Sequence, residues 1–409
     1  MPVATTSRLA IASAAFIVFA ASSSGALAQK KYDTGATDTE IKIGNIMPYS
    51  GPASAYGVIG KTEEAYFKKI NAEGGINGRK INFISYDDAY SPPKTVEQAR
   101  KLVESDEVLF VFNPLGTPPN SAIHKYMNAK KVPQLFVASG ATKWGDPKNF
   151  PWTIGWQPNY QSEGRIYAKY ILDHFPNSKI AVFWQNDDSG RDQAKGLRDG
   201  LGDKANMIVA DKSYEVSDPS VDSQIVALHD SGADIFFSWA APKGSAQAIR
   251  KVGELGWKPK FFLGNIASSV AGVLKPAGLE FSKDIISTAY LKDPTDPAWK
   301  DDPGVKTWRV FMDKYYPDSD KTNNSNVYGY AAAQTMVQVL KQCGDDLTRE
   351  NVMKQAANLK DFSTDMMLPG IKANTSPTDF FPIEQMQLMR FDGEAWRLFG
   401  DVITGEVRH

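Results

Sequence analysis

Apolar positions at Ile41, Ile43 and Ile46 mark a buried strand that breaks at Pro48 and again at Ser50-Gly51-Pro52. After Gly57 the spacing lengthens to a helical one, with Ile59, Tyr66 and Ile70 on one face. Gly74-Gly75 ends that helix and Asn77-Gly78 makes a turn. The same sequence of signals then recurs. Ile81–Tyr86 reads as a strand, and Val96, Ala99 and Val103 mark a helix that starts at Pro92. Val108–Phe112 is a strand, Ser121–Ala129 a helix and Pro133–Val137 a strand. Strict alternation of this kind predicts a parallel sheet with right-handed crossovers.

A Trp- and Pro-rich passage, Asn149–Asn159, interrupts the alternation and is a candidate crossing between domains. The pattern restarts with a helix over Tyr160–His174 and a strand over Lys179–Trp184. A helix carrying Ala194, Leu197 and Leu201 follows, then a strand at Met207–Ala210. Val221, Ile225 and Leu228 mark a helix, Asp234–Trp239 a strand, Ala246, Ile249 and Val252 another helix, and Lys260–Leu263 a strand. Two series of similar size predict two similar lobes. Ile285–Ala289 is a further strand. A Pro/Asp-rich loop, Asp293–Pro303, leads to helices at Trp308–Tyr316, Asn326–Lys341 and Thr348–Asn358. Because the second sheet already has its strands, these helices read as a return to the first lobe. The tail, Pro382–Trp396, forms short strands around an Asp392-Gly393 turn.

The start of the chain carries an address. Arg8, the apolar run Leu9–Ala21 and the small residues Ala26-Leu27-Ala28 have the order of a secretory signal peptide, cleaved after Ala28. The run is shorter than the roughly 20 residues that a spanning helix needs. A length of 409 residues exceeds what one core usually organises and predicts two domains. Lys+Arg 46 against Asp+Glu 47 leaves no basic excess, so nucleic acid is not an expected partner. The single cysteine, Cys343, cannot form an internal disulfide and reads as a small core residue.

Signs of catalysis are absent. The four His are isolated, and none sits at metal-ligand spacing from Cys or another His. No nucleophile elbow, Walker loop or dinucleotide fingerprint is present. Asp87-Asp88 and Asp187-Asp188 lie at strand ends, where such residues cap helices more often than they hold a metal. Neither enzyme activity nor a cofactor is expected. Binding remains: ligands collect at the carboxyl ends of parallel strands. Those ends carry the donors Ser50, Ser54, Asn113, Thr117, Ser139, Thr142 and Ser189, with Tyr56, Trp156, Tyr160 and Trp239 nearby. Hydroxyls and N–H groups at helix N-termini can hold an anion, and aromatic rings can supply an apolar wall.

Several stretches together resemble a known family: Ser50–Gly57 (SGPASAYG), Ile70–Ile81, Tyr86–Lys94 (YDDAYSPPK), Ser139–Thr142, Asn186–Gly190 and Arg390–Gly393. In order and spacing they are similar to the periplasmic leucine/isoleucine/valine-binding proteins of ABC importers. The resemblance implies a type I periplasmic binding protein of two α/β lobes, each a parallel sheet flanked by helices. Three hinge crossovers would fall near Gln157, Thr288 and Met386. One lobe would comprise residues 38–157 and 289–386, the other 158–288 and 387–409. It further implies a monomer in the periplasm, working with an inner-membrane ABC permease or, in a rival reading, reporting to a receptor.

By the same resemblance, Gly116-Thr117 and Ser139–Thr142 (with Ala141 between) hold a ligand carboxylate, and Tyr56 closes over the side. The chain departs from the family pattern at Ser189, where an aromatic residue is common. It departs again at Gly264-Asn265-Ile266, where amino-acid binders place a carboxylate against the ligand ammonium. An ammonium buried without a counter-ion costs several kcal/mol. The expected ligand is therefore an aromatic or other apolar organic acid, with a branched-chain or other neutral amino acid as the alternative. The expected ligand-binding set is Tyr56, Gly116, Thr117, Ser139, Ala141, Thr142, Tyr160, Ser189, Trp239 and Asn265.

Overall fold

The computed structural model describes residues 1–4 and 30–405; the apolar run and the cleavage point expected from the sequence lie outside them. Five parallel strands form the first sheet, in the order Lys80–Asp87, Glu40–Met47, Phe110–Phe112, Gln134–Val137 and Thr153–Gly155. Their central residues, such as Ile43, Val111 and Leu135, are fully buried, as both-face coverage by helices requires. The second sheet has seven strands. Ile208–Tyr214, Ile180–Gln185, Ile235–Trp239, Lys260–Leu263 and Ile286–Ala289 run parallel. Gln385–Phe391 and Trp396–Thr404 add an antiparallel hairpin at one edge. The Asp392-Gly393 turn closes that hairpin. The Asp392 carboxylate accepts from the N–H groups of Ala395 and Glu394 and from Arg397 Nε, which hold its pKa at about 2.

The chain leaves the first sheet after Gly155, leaves the second after Ala289 and rejoins it at Gln385. Between the last two points, helix Asn324–Cys343 packs on helix Gly57–Ala72, which belongs to the first sheet. Tyr66 meets Tyr330 edge-on at 5.1 Å there, and Thr62 Oγ1 donates to Asn326 Oδ1 at 3.0 Å. Cys343 is buried at the end of that helix. Among the described residues no helix is long and apolar enough to cross a membrane.

Three of the elements that differ from the sequence reading have a visible cause. The helix read from Ser121 starts at Thr117, because Pro118 and Pro119 occupy the first turn, where a missing N–H costs nothing. The strand read from Val108 starts at Phe110, since Arg349 takes the carbonyls of Val108 and Leu109, each at 2.9 Å. Inside the Trp/Pro passage, Thr153–Gly155 is itself a strand, so the crossing begins only after it.

Helices Tyr160–His174 and Asp188–Leu201 pack closely and carry Tyr160 and Ser189 at their N-terminal ends. The approach is made at glycines. A Cβ on Gly196 would lie 2.3 Å from the Gln161 carbonyl oxygen, and one on Gly164 2.5 Å from the Leu197 nitrogen. Gly196→Ala gains about 1 kcal/mol of helix propensity, but it forces backbone apart and loses about 1–3 kcal/mol to overpacking. Denaturant unfolding should show Gly196→Ala less stable than wild type; equal or greater stability would mean the helices are not held at this distance.

Candidate functional site

The turns at the carboxyl ends of both sheets face each other across a cavity lined by residues of both lobes. Tyr56, Gly116 and Thr117 line it from the first lobe, and Tyr160, Ser189 and Asn265 from the second. The other four expected residues do not line it. Trp239 is a core residue, 4.9 Å from the Phe237 ring and under Gly264. Ala141 is buried against Val137, Trp144 and Tyr160. Thr142 donates its N–H to Asp192 Oδ2 at 2.7 Å, and its hydroxyl is engaged with the Asn159 side chain. Ser50 is exposed and tied to Asp87, Ser54 is exposed, and Asn113 is turned to the Phe136 carbonyl at 2.6 Å. Asp187 caps the Asp188–Leu201 helix, accepting from the Gly190 N–H at 3.2 Å.

Ser139 lies directly behind the wall. Its Oγ accepts from Trp144 Nε1 at 2.9 Å and from the Ala141 N–H at 3.2 Å, and it stands 2.6 Å from Thr117 Oγ1. A hydroxyl has two lone pairs and one proton. With both lone pairs engaged, Ser139 donates to Thr117, which frees the Thr117 proton for a group in the cavity. Thr117 also opens a 14-residue helix, whose N-terminal partial charge favours an anion at the same point. Gly116 has a different role. Its φ is +99°, and a Cβ would meet the Tyr90 ring at 2.4 Å, so the bare backbone seats Tyr90.

Tyr90, Tyr290 and Tyr328 line the cavity and are absent from the sequence-derived set, as are Gln157 and Gln185. Tyr90 lies within the Tyr86–Lys94 motif, and Tyr290 follows a strand end, so a strict use of the strand-end rule would have found both. Tyr328 sits on a helix whose pattern reads as core. Trp156 stands behind this wall, edge-on to Tyr328 at 4.9 Å and to Tyr290 at 6.0 Å.

The lobes are bridged across the cavity. Tyr56 donates its hydroxyl to the Ile266 carbonyl at 3.0 Å, and Gln185 Nε2 approaches the Tyr90 hydroxyl at 3.4 Å. Lys143 pairs with Asp188 at 2.5 Å. Desolvation pushes the Tyr56 and Tyr90 hydroxyls well above the usual phenol range, so both stay neutral donors or acceptors.

Formal charge enters the lining through two neighbours. Lys292 is engaged, donating to Asp302 Oδ1 at 2.8 Å and to the Asp365 carbonyl at 2.9 Å. Asp293 takes the Thr295 N–H at 2.9 Å and hydroxyl at 2.5 Å on Oδ1, while Oδ2 has no partner among the described residues. Burial pushes its pKa up to about 6 against the pull of Thr295 and of the nearby Asn324 side chain. The loop at Gly264–Ile266 lacks a carboxylate, as read from the sequence. Another loop brings a carboxylate to the cavity at Asp293.

The family model of the periplasmic binding proteins matches residues 40–395. The chain is 26% identical over 338 residues to the Leu/Ile/Val-binding protein homolog 1 of Brucella abortus (strain 2308), spanning 80% of this chain and 85% of that protein. A branched chain amino acid ABC transporter protein from Thermus thermophilus, solved with bound valine, is similar at a TM-score of 0.81 and 15% identity, over 90% of this chain and 97% of that one. The solute binding protein of an ABC transporter from R. palustris, solved in complex with benzoate, gives 0.75 at 18% identity, over 90% and 98%.

The Asp293 carboxyl is protonated in folded and unfolded chains below its ordinary value of 3.8; its cost to the fold builds as pH rises from there to about 6 and is constant above. Asp293→Asn should therefore match wild type in urea unfolding at about pH 4 and exceed it by up to about 3 kcal/mol at about pH 7.5. A gap that does not grow with pH would contradict the burial of this charge.

Proposed function

The chain belongs to the periplasmic binding protein family, and on that premise we propose that it captures a small carboxylate between its lobes for an ABC permease. The observation that carries this reading is the relay from Ser139 to Thr117 at a helix N-terminus. It offers a hydroxyl proton and a favourable dipole, in a cavity whose lysine is already engaged. Five tyrosines and the side chains of Ile59, Leu115 and Val327 supply the remaining wall, which suits an apolar or aromatic body. Both walls come from one chain, so a monomer suffices. The role is capture without chemistry in the periplasm, with ligand contacts on both lobes favouring the closed form.

An aromatic or other apolar organic acid is the first reading, in keeping with the benzoate held by the R. palustris neighbour. A branched-chain amino acid is the second. The name of the Brucella relative, the valine of the Thermus neighbour and the carboxylate of Asp293 favour it.

Ligand-free protein can be screened by thermal shift against benzoate, 4-methylpentanoate and leucine, followed by calorimetry on whichever binds. Thr117→Val should weaken that ligand by about 1–3 kcal/mol through loss of a charge-assisted hydrogen bond. Thr142→Ala, outside the cavity, should cost less than about 0.5 kcal/mol. Unchanged affinity in Thr117→Val, or a larger loss in Thr142→Ala, would place the anion elsewhere.

A further inference from the structure

A second polar cluster borders the same cavity and, among the described residues, shares no hydrogen bond with Thr117 or Ser139. Asp293, Asn324 and Ser268 form its edge. Asn324 Nδ2 donates to Ser268 Oγ at 2.9 Å, and Ser268 donates its proton to the Asn265 carbonyl at 2.8 Å. Asp293 is 7% exposed, and its Oδ1 completes a local turn with Thr295. That turn needs one oxygen only. Oδ2 is buried and makes no hydrogen bond among the described residues; the nearest donor is the Asn324 amide, close enough to lower the Asp293 pKa but already donating to Ser268 Oγ. The neighbouring cations do not serve it: Lys292 is bound to Asp302 and the Asp365 carbonyl, and Arg397 lies 3.5 Å from Asp296. A buried acceptor without a donor destabilises the fold, and in a ligand cavity a donor can come from the ligand.

We propose that Asp293 receives a hydrogen-bond donor of the ligand, an amine or a hydroxyl, so that the captured molecule is polar at two points, its carboxylate at Thr117 and its donor at Asp293. The proposal rests on the carboxylate reading above and adds a requirement to it. The acceptor comes from the loop after strand Ile286–Ala289, not from the Gly264–Ile266 loop, where the amino-acid binders were expected to carry theirs.

Calorimetry on ligand-free wild type and Asp293→Asn, with probes matched in shape, tests this. Leucine is compared with 4-methylpentanoate, which lacks only the amine; 4-hydroxybenzoate and 4-aminobenzoate are compared with benzoate. In wild type, at least one donor-bearing probe should bind about 10- to 100-fold tighter than its plain partner, the span of a hydrogen bond to a charged group. In Asp293→Asn that ratio should collapse to within about threefold. The leucine pair and the hydroxybenzoate pair tell amine from hydroxyl. Equal binding within every pair in wild type, or a ratio that survives in Asp293→Asn, would overturn the proposal and leave the carboxylate reading intact. Failure of every probe, plain acids included, would overturn both.

Discussion

Glu163 is a carboxylate buried without any exposed surface, and three separate parts of the chain converge on one of its oxygens. Oε1 lies 2.8 Å from the Asn265 N–H, 2.8 Å from Thr288 Oγ1 and 2.9 Å from the Tyr167 hydroxyl, whose proton is also within reach of the Leu263 carbonyl. Its own helix starts just after the first crossing, capped by Asn159, which accepts from the Gln161 N–H. Thr288 stands on the strand that leads to the next crossing, and Asn265 opens a turn of the cavity. Burial raises the pKa of this group, and these donors pull it back. A buried acceptor that loses its donors destabilises the fold. Moving any one of these elements strips a donor from Glu163, so the crossings are held in register with the strand ends that face the ligand space.

By contrast, the contacts that close the lobes are individually weak. Lys143 and Asp188 are 35% and 45% exposed, and a pair of that kind contributes about 0–1 kcal/mol. The Tyr56 bond to the Ile266 carbonyl adds about 0.5–1.5 kcal/mol. Bridges of this size bias closure without locking it, so contacts made by a ligand to both lobes can decide the closed population. A rigid frame at the crossings with modest bridges at the rim suits capture and release.

Much of the frame is legible in the sequence. Helices Gly57–Ala72 and Tyr160–His174 follow from apolar spacing and Gly/Pro punctuation, and the C-terminal hairpin from Asp392-Gly393. Where the reading slipped, a distant or local override is visible: Arg349 draws off the carbonyls of Val108 and Leu109, and two prolines open a helix instead of delaying it. For the site, the strand-end rule locates the right turns but not the rotation within them. Thr117 and Thr142 look alike as sequence, yet one faces the cavity and the other hands its N–H to Asp192. Trp239 lies at the end of a strand and faces the core. Asp293 was hidden because a Pro/Asp-rich loop reads as solvated surface, and only the fold turns it inward.

The most direct test is a crystal structure of the protein grown with the tighter binder of benzoate and leucine. The ligand should sit between the lobes with its carboxylate within about 3 Å of Thr117 Oγ1, and Tyr56 should still bridge to Ile266. A carboxylate anchored away from Thr117, or a ligand outside this cavity, would contradict the account.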